Sequence, residues 1–171
     1  TDADLVAGIA KGGGVAGIHG ATYASMDLPE FGEMMGAQDG PHRVETATVK
    51  IEDPSSPLTK AFDGKEFQWT DECYHFLPTG PFSRDKVHVL LRIDTDKSDM
   101  TRWQGVRPDN YYGISWIKSY GKGRVINCAL GHTPKLFETP AFGNFILSAI
   151  QFVLGDLPAD TTPSAKLSAS S

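Results

Sequence analysis

The stretch Gly12-Gly13-Gly14-Val15-Ala16-Gly17-Ile18-His19-Gly20-Ala21-Thr22 decides the fold. Val15, Ala16 and Ile18 form a short apolar run between glycines, which suits a strand buried on both faces. The run ends abruptly in His19 and is followed by small residues. In α/β sheets the C-terminal end of a buried strand is where chemistry is placed. Upstream, Leu5, Val6 and Ile9 share one helical face and Gly12 is a natural stop. The chain therefore reads as opening in the last turns of a helix that leads into this strand.

Working outward, Pro29 and Gly36 bracket a short helix within residues 26–36. Residues 44–51 alternate apolar and polar, as a strand with one solvated face does. Residues 66–76 read as a strand entering a loop. Val87, Val89, Leu91 and Ile93 alternate, which predicts a strand with His88 on its solvent side, and His75 reads as loop packing. Residues 95–113 are polar and predict a long loop. Two apolar runs around Gly121-Lys122-Gly123 predict a hairpin. Residues 140–154 predict a helix with Phe142, Phe145, Ile146, Ile150, Phe152 and Val153 near one stripe. Residues 158–171 lack large apolar side chains and read as a disordered tail or linker, leaving one domain over 1–157.

Composition narrows the function classes. With 171 residues, 40% hydrophobic and 22% charged, the chain suits one globular domain. A net charge of -5 speaks against a nucleic-acid partner, which needs a basic face. No apolar run approaches the ~20 residues that span a bilayer, so the reading is of a soluble protein, cytoplasmic or exported, with no membrane partner; a homo-oligomer is compatible with it. Cys73 and Cys128 fit no metal or CxxC spacing and read as small buried hydrophobes.

Four stretches in order carry a family resemblance: GGGVAGIHGAT (12–22), DECYHF (71–76), ISWIKSYGKGRVINCALGHT (114–133), and the closing helix with Pro140 and Phe142. Together they resemble the ThuA-like, trehalose-utilisation family of the class I glutamine amidotransferase-like superfamily. The resemblance implies an α/β fold, a three-layer flavodoxin-like sheet, mostly parallel with an antiparallel hairpin. It also implies that two or three N-terminal β-α units of a complete domain are lacking. In the amidotransferases a Gly-x-Cys-x-Gly elbow follows the central strand, and Gly17-Ile18-His19-Gly20 falls on it. His19 stands in place of the cysteine, and Pro134 stands where an acidic residue should follow His132. Glutamine hydrolysis needs a positioned thiolate, so the resemblance implies that this chemistry is absent.

The same placement supplies candidate residues. His19 on the elbow and His132 after a buried strand suit general acid or base chemistry, with Glu72 as the third catalytic candidate. Asp71 and Glu72 are adjacent, so on a strand only one of them faces a site, and the family pattern favours Glu72. Tyr23, His42, Tyr74 and Trp116 are candidates for substrate binding, and Trp103 and Tyr120 could also line a sugar cleft. His19 and His132 are candidate ligands for a divalent ion such as zinc, within a set of three histidines and a carboxylate at separate chain positions, although no HxH or HExxH spacing is present. No other cofactor is implied. Arg124 sits in a hairpin turn and not in a strand-to-helix phosphate loop. The expected function is carbohydrate utilisation: either a keto-sugar isomerase or related sugar-processing enzyme, or a non-catalytic carbohydrate-binding domain.

Overall fold

Glycine placement and short apolar runs divide the chain into eleven helices and strands, seen in a computed structural model that describes residues 1–38, 40–102 and 106–167. In order they are α1 (Asp2–Ala10), β1 (Gly14–Ile18), α2 (Pro29–Met35), β2 (His42–Ile51), β3 (Phe67–Tyr74), β4 (His88–Ile93), β5 (Gly113–Tyr120), β6 (Gly123–Cys128), α3 (Pro134–Phe137), α4 (Pro140–Leu154) and α5 (Ser164–Leu167). Helix α1 starts at a capping box: the Thr1 hydroxyl accepts from the Asp4 N–H, and the Asp4 side chain reaches back to Thr1. Helix α2 ends on Gly36 at φ 85°, where a Cβ would also stand 2.7 Å from the Trp116 indole nitrogen. The β5–β6 turn places Gly121 at φ 58°, against the carbonyl of Ala10.

The strands form one six-stranded sheet in the order β1-β6-β5-β4-β2-β3. Only β1 and β6 run parallel; the other four pairings are antiparallel. This corrects the expectation of a mostly parallel sheet. The reason is connectivity. Parallel neighbours need a crossover, usually a helix of several turns, and from β2 to β6 the described links hold nothing longer than a 3₁₀ turn.

Residues on β6 show how the sheet is covered. Val125 joins Val6, Ile9, Phe31, Met34 and Met35 under α1 and α2, whereas Ile126 joins Phe142, Phe145 and Phe152 of α4. Helix α4 thus buries Phe142, Phe145, Ala149 and Phe152, each phenyl contributing roughly 1.5–3 kcal/mol by leaving water. Ile150, expected on that stripe, is exposed, as are Leu147 and Leu154.

Strand β4 departs from its expected alternation, because His88 and Leu90 are as buried as Val89 and Leu91. The covering material is the segment expected to be a disordered tail. Residues 158–167 lie along β4: Ser164 N–H donates to Val87 O, Ser164 Oγ accepts from Val89 N–H, and Thr162 O meets His88 Nδ1 at 2.8 Å. Polar residues dock here through backbone and hydroxyl bonds, which a count of large apolar side chains misses.

Candidate active site

Strand β1 delivers His19 to the sheet's rim and turns sharply there. Ile18 is extended, whereas His19 sits at φ 53°, in the left-handed region that a side chain other than glycine enters only under strain. The nearby glycines keep the turn close to its neighbours. A Cβ on Gly17 would stand 2.3 Å from Met35 Cε, and one on Gly20 would stand 3.1 Å from the Tyr74 hydroxyl. The His19 ring is oriented by Nδ1, 3.3 Å from Ala129 O. A carbonyl can only accept, so Nδ1 carries the proton and Nε2 is turned to the site.

The β2–β3 ribbon brings the acidic partner. Strand β2 pairs with β4 only across Val49–Ile51, whereas it pairs with β3 along nearly its whole length, His42 opposite Tyr74 and Val44 opposite Glu72. The His42 end of the ribbon therefore leaves the plane of the sheet and reaches the ends of β1 and β6. Alternation along β3 then separates the two carboxylates. Asp71 is buried and accepts from the Trp69 indole N–H and from the Gly131 N–H, both at 3.3 Å. Glu72 points the other way, into the site.

His19, Glu72 and His132 meet there. His19 Nε2 is 3.0 Å from Glu72 Oε2, His132 Nδ1 is 3.4 Å from the same oxygen, and the two histidine nitrogens are 3.1 Å apart. His42 Nε2 lies 3.9 Å from the other Glu72 oxygen. His42 Nδ1 is 3.0 Å from the Tyr23 hydroxyl, which itself donates to Gly40 O. Tyr74 lies between these groups, edge-on to His19 and stacked on His42. Burial, with the Glu72 charge and a hydrogen bond to it, pushes the Tyr74 phenol up to about 12, so it remains a proton donor at neutral pH. Half of the His132 side chain is exposed, against about a fifth for His19 and Glu72, so the centre opens to solvent on the His132 side.

Six of the seven sequence candidates thus converge: His19, Glu72, His132, Tyr23, His42 and Tyr74. Trp116 does not. It is fully buried on β5, its indole N–H donating to Met35 O under α2 and its ring packed on Phe76 and Phe82. A strand flanked by β4 and β6 and covered on both faces leaves no room for a sugar. Tyr120 ends the same strand beside Lys118, at the opposite rim, and Trp103 lies outside the described residues. His75 is buried 2.9 Å from Glu45, and His88, expected toward solvent, is buried 2.9 Å from Asp53. Arg124 donates to Val153 O at the end of α4. Burial pushes the thiols of Cys73 and Cys128 up to about 12, which makes both poor nucleophiles. The orienting groups Ala129 O, Gly40 O and Asp71 escaped the sequence reading. A backbone carbonyl has no signature in residue identity, and Asp71, read there only as the alternative to Glu72, faces away from the site and accepts from Gly131 N–H next to His132.

Two solved structures resemble this fold. A putative ThuA-like protein from Bacteroides uniformis superposes with a TM-score of 0.71 at 20% identity, over 94% of this chain and 66% of its own. One from Parabacteroides merdae gives 0.66 at 16% identity, over 94% of this chain and 67% of its own. At those identities the likeness shows the fold alone, and the chain spans just under two thirds of the first structure's length. No curated protein matches the chain. The sequence profile of the trehalose-utilisation family, ThuA, matches residues 1–153, and the chain belongs to that family.

Proposed function

We propose that the His19–Glu72–His132 centre is the active site of a keto-sugar isomerase in carbohydrate utilisation. The observation that carries this reading is the convergence of three proton-handling side chains, from three separate strand ends, within 3.0–3.4 Å of one another. Residues that serve only packing have no reason to gather at one solvent-open rim with two tyrosines and a third histidine. The elbow at His19 also supports kinship with the amidotransferase sheet, in which the same turn presents the reacting group.

Isomerisation beside a carbonyl needs a base to take a proton from the adjacent carbon and an acid to protonate the carbonyl oxygen. The C–H electron pair forms the C=C bond of an enediol, and the carbonyl oxygen gains a proton. Loss of the proton from the hydroxyl on the neighbouring carbon, which becomes the new carbonyl, with return of a proton to the former carbonyl carbon, completes the exchange with no net oxidation. Glu72 and the histidines are placed to exchange the carbon-bound proton, Tyr74 to donate to oxygen, and Tyr23 and His42 to hold sugar hydroxyls.

Turnover of a 3-keto-disaccharide, followed by NMR, tests the proposal with His19→Ala and His132→Ala. Loss of turnover in both, with circular dichroism unchanged, is expected. Unchanged turnover overturns it. Sugar affinity with no product from the unaltered protein would replace it with a carbohydrate-binding module.

A further inference from the structure

We propose that His19, Glu72 and His132 hold a divalent transition-metal ion. The reason is the excess of electron pairs at the convergence. His19 Nδ1 uses its proton on Ala129 O, so in the neutral ring Nε2 presents a lone pair. That lone pair faces Glu72 Oε2, also an acceptor, at 3.0 Å. His132 Nδ1 faces both, at 3.1 and 3.4 Å. One proton, on His132 Nδ1 or on His19 Nε2, relieves the two contacts of its own nitrogen and leaves the third contact between two acceptors. A single divalent ion among the three relieves all of them.

The spacing agrees with this. Ligand atoms about 2.0–2.1 Å from a tetrahedral ion stand roughly 3.3 Å apart, and cis ligands of an octahedral ion stand about 3.0 Å apart. The three observed separations, 3.0, 3.1 and 3.4 Å, fall across these values. Two imidazoles and one carboxylate are a donor set that first-row divalent ions take, with positions left open for water or substrate. The surroundings supply what such ligands need. Ala129 O fixes the His19 ring, as the outer partner of a metal-bound histidine does. His42 Nε2 approaches the remaining Glu72 oxygen at 3.9 Å, and the Tyr74 hydroxyl bonds Glu72. The exposed flank of His132 gives the ion a path in.

This inference rests on the same centre as the isomerase reading but not on the sugar. An ion held by these three ligands would polarise a bound sugar oxygen, and the transferable proton would then fall to His42 or Tyr74. The test uses the full chain, stripped with a chelator and titrated calorimetrically with Zn²⁺, Co²⁺ and Mn²⁺ in turn. One equivalent of at least one ion is expected, with affinity falling at least 100-fold in His19→Ala and in His132→Ala. Unchanged circular dichroism in both histidine variants guards against loss of fold, and Lys97→Ala, which breaks an ion pair outside the centre, keeps the stoichiometry. With Co²⁺, visible ligand-field bands distinguish four-coordinate from six-coordinate geometry. No stoichiometric binding of any of the three ions, or binding unchanged in both histidine variants, overturns the inference. Failure of ion binding with sugar turnover intact would overturn the metal and leave the isomerase reading standing, whereas ion binding without turnover of any keto-sugar would do the reverse.

Discussion

Replacing His19 with glycine and, separately, with alanine separates what the elbow does for stability from what it does for function. Both variants lose the Nδ1–H bond to Ala129 O, worth roughly 0.5–1.5 kcal/mol, and the edge-on contact with Tyr74, worth about 0.5–1.5 kcal/mol. Both also relieve the crowding against Glu72 and His132. These effects cancel in the comparison, leaving the backbone. At φ 53° alanine keeps the left-handed strain of about 1–2 kcal/mol, and glycine does not. Glycine gives back roughly 0.5–1 kcal/mol through the greater freedom of its unfolded chain. The glycine variant should therefore be more stable than the alanine variant by about 0.7 kcal/mol. That is a gain of roughly 1–3 °C in melting temperature for a chain of this size. Equilibrium urea unfolding followed by circular dichroism measures the difference, and sugar turnover measured alongside should be lost in both. An alanine variant as stable as the glycine variant, or more so, would refute the claim that backbone strain is stored at this elbow.

Three further outcomes follow from the geometry. Trp116→Ala should lose about 3–5 kcal/mol, since it empties a fully buried indole site and orphans Met35 O, whereas Trp116→Phe should keep sugar affinity; a calorimetric loss of affinity in the phenylalanine variant would return Trp116 to the binding site. Burial works to raise the Asp53 carboxyl, but hydrogen bonds from Ser55 and His88 outweigh it and hold its folded pKa below the usual 3.8. A depressed pKa gives stability that is present above the unfolded value and lost as pH falls through the folded one, so Asp53→Asn should lower the melting temperature at neutral pH and narrow its gap to the parent below about pH 4. Tyr74→Phe removes a phenol that burial and Glu72 hold up to about 12. Turnover should fall roughly 10–100-fold, the worth of a hydrogen bond to a charged group, with the shape of the pH–rate profile unchanged between about pH 6 and 9; a basic limb that disappears in this variant would show that the phenol titrates in that range.

What could be read from the sequence was what depends on neighbours along the chain. Gly36 ends its helix in the left-handed conformation, as its position suggested. The Asp71-Glu72 pair separated to opposite faces because strand geometry permits nothing else. The errors arose where distant segments decide. The apolar spacing along β4 marked a strand, but His88 and Leu90 on its other face are buried as well, and residues 162–165 bond along its start through backbone and hydroxyl groups. Trp116 carried the chemistry of a sugar-stacking residue, but α2 lies over it, and only the tertiary fold reveals that.

The convergence itself was the least accessible to local reasoning, and the topology shows why. Strands β1 and β3 stand at opposite edges of the sheet, so linear order alone would keep His19 from Glu72. They meet because β2 is longer than its pairing with β4. Its last residues hold the sheet, and the ribbon that it forms with β3 is free to bend across the strand ends. The pivot is reinforced where β2 ends. Asp53, two residues beyond it, meets buried His88, whose other nitrogen meets Thr162 O, tying the β2 exit, β4 and the C-terminal segment together. The ribbon that brings Glu72 to 3.0 Å from His19 thus leaves the sheet from a strand whose exit these bonds tie down.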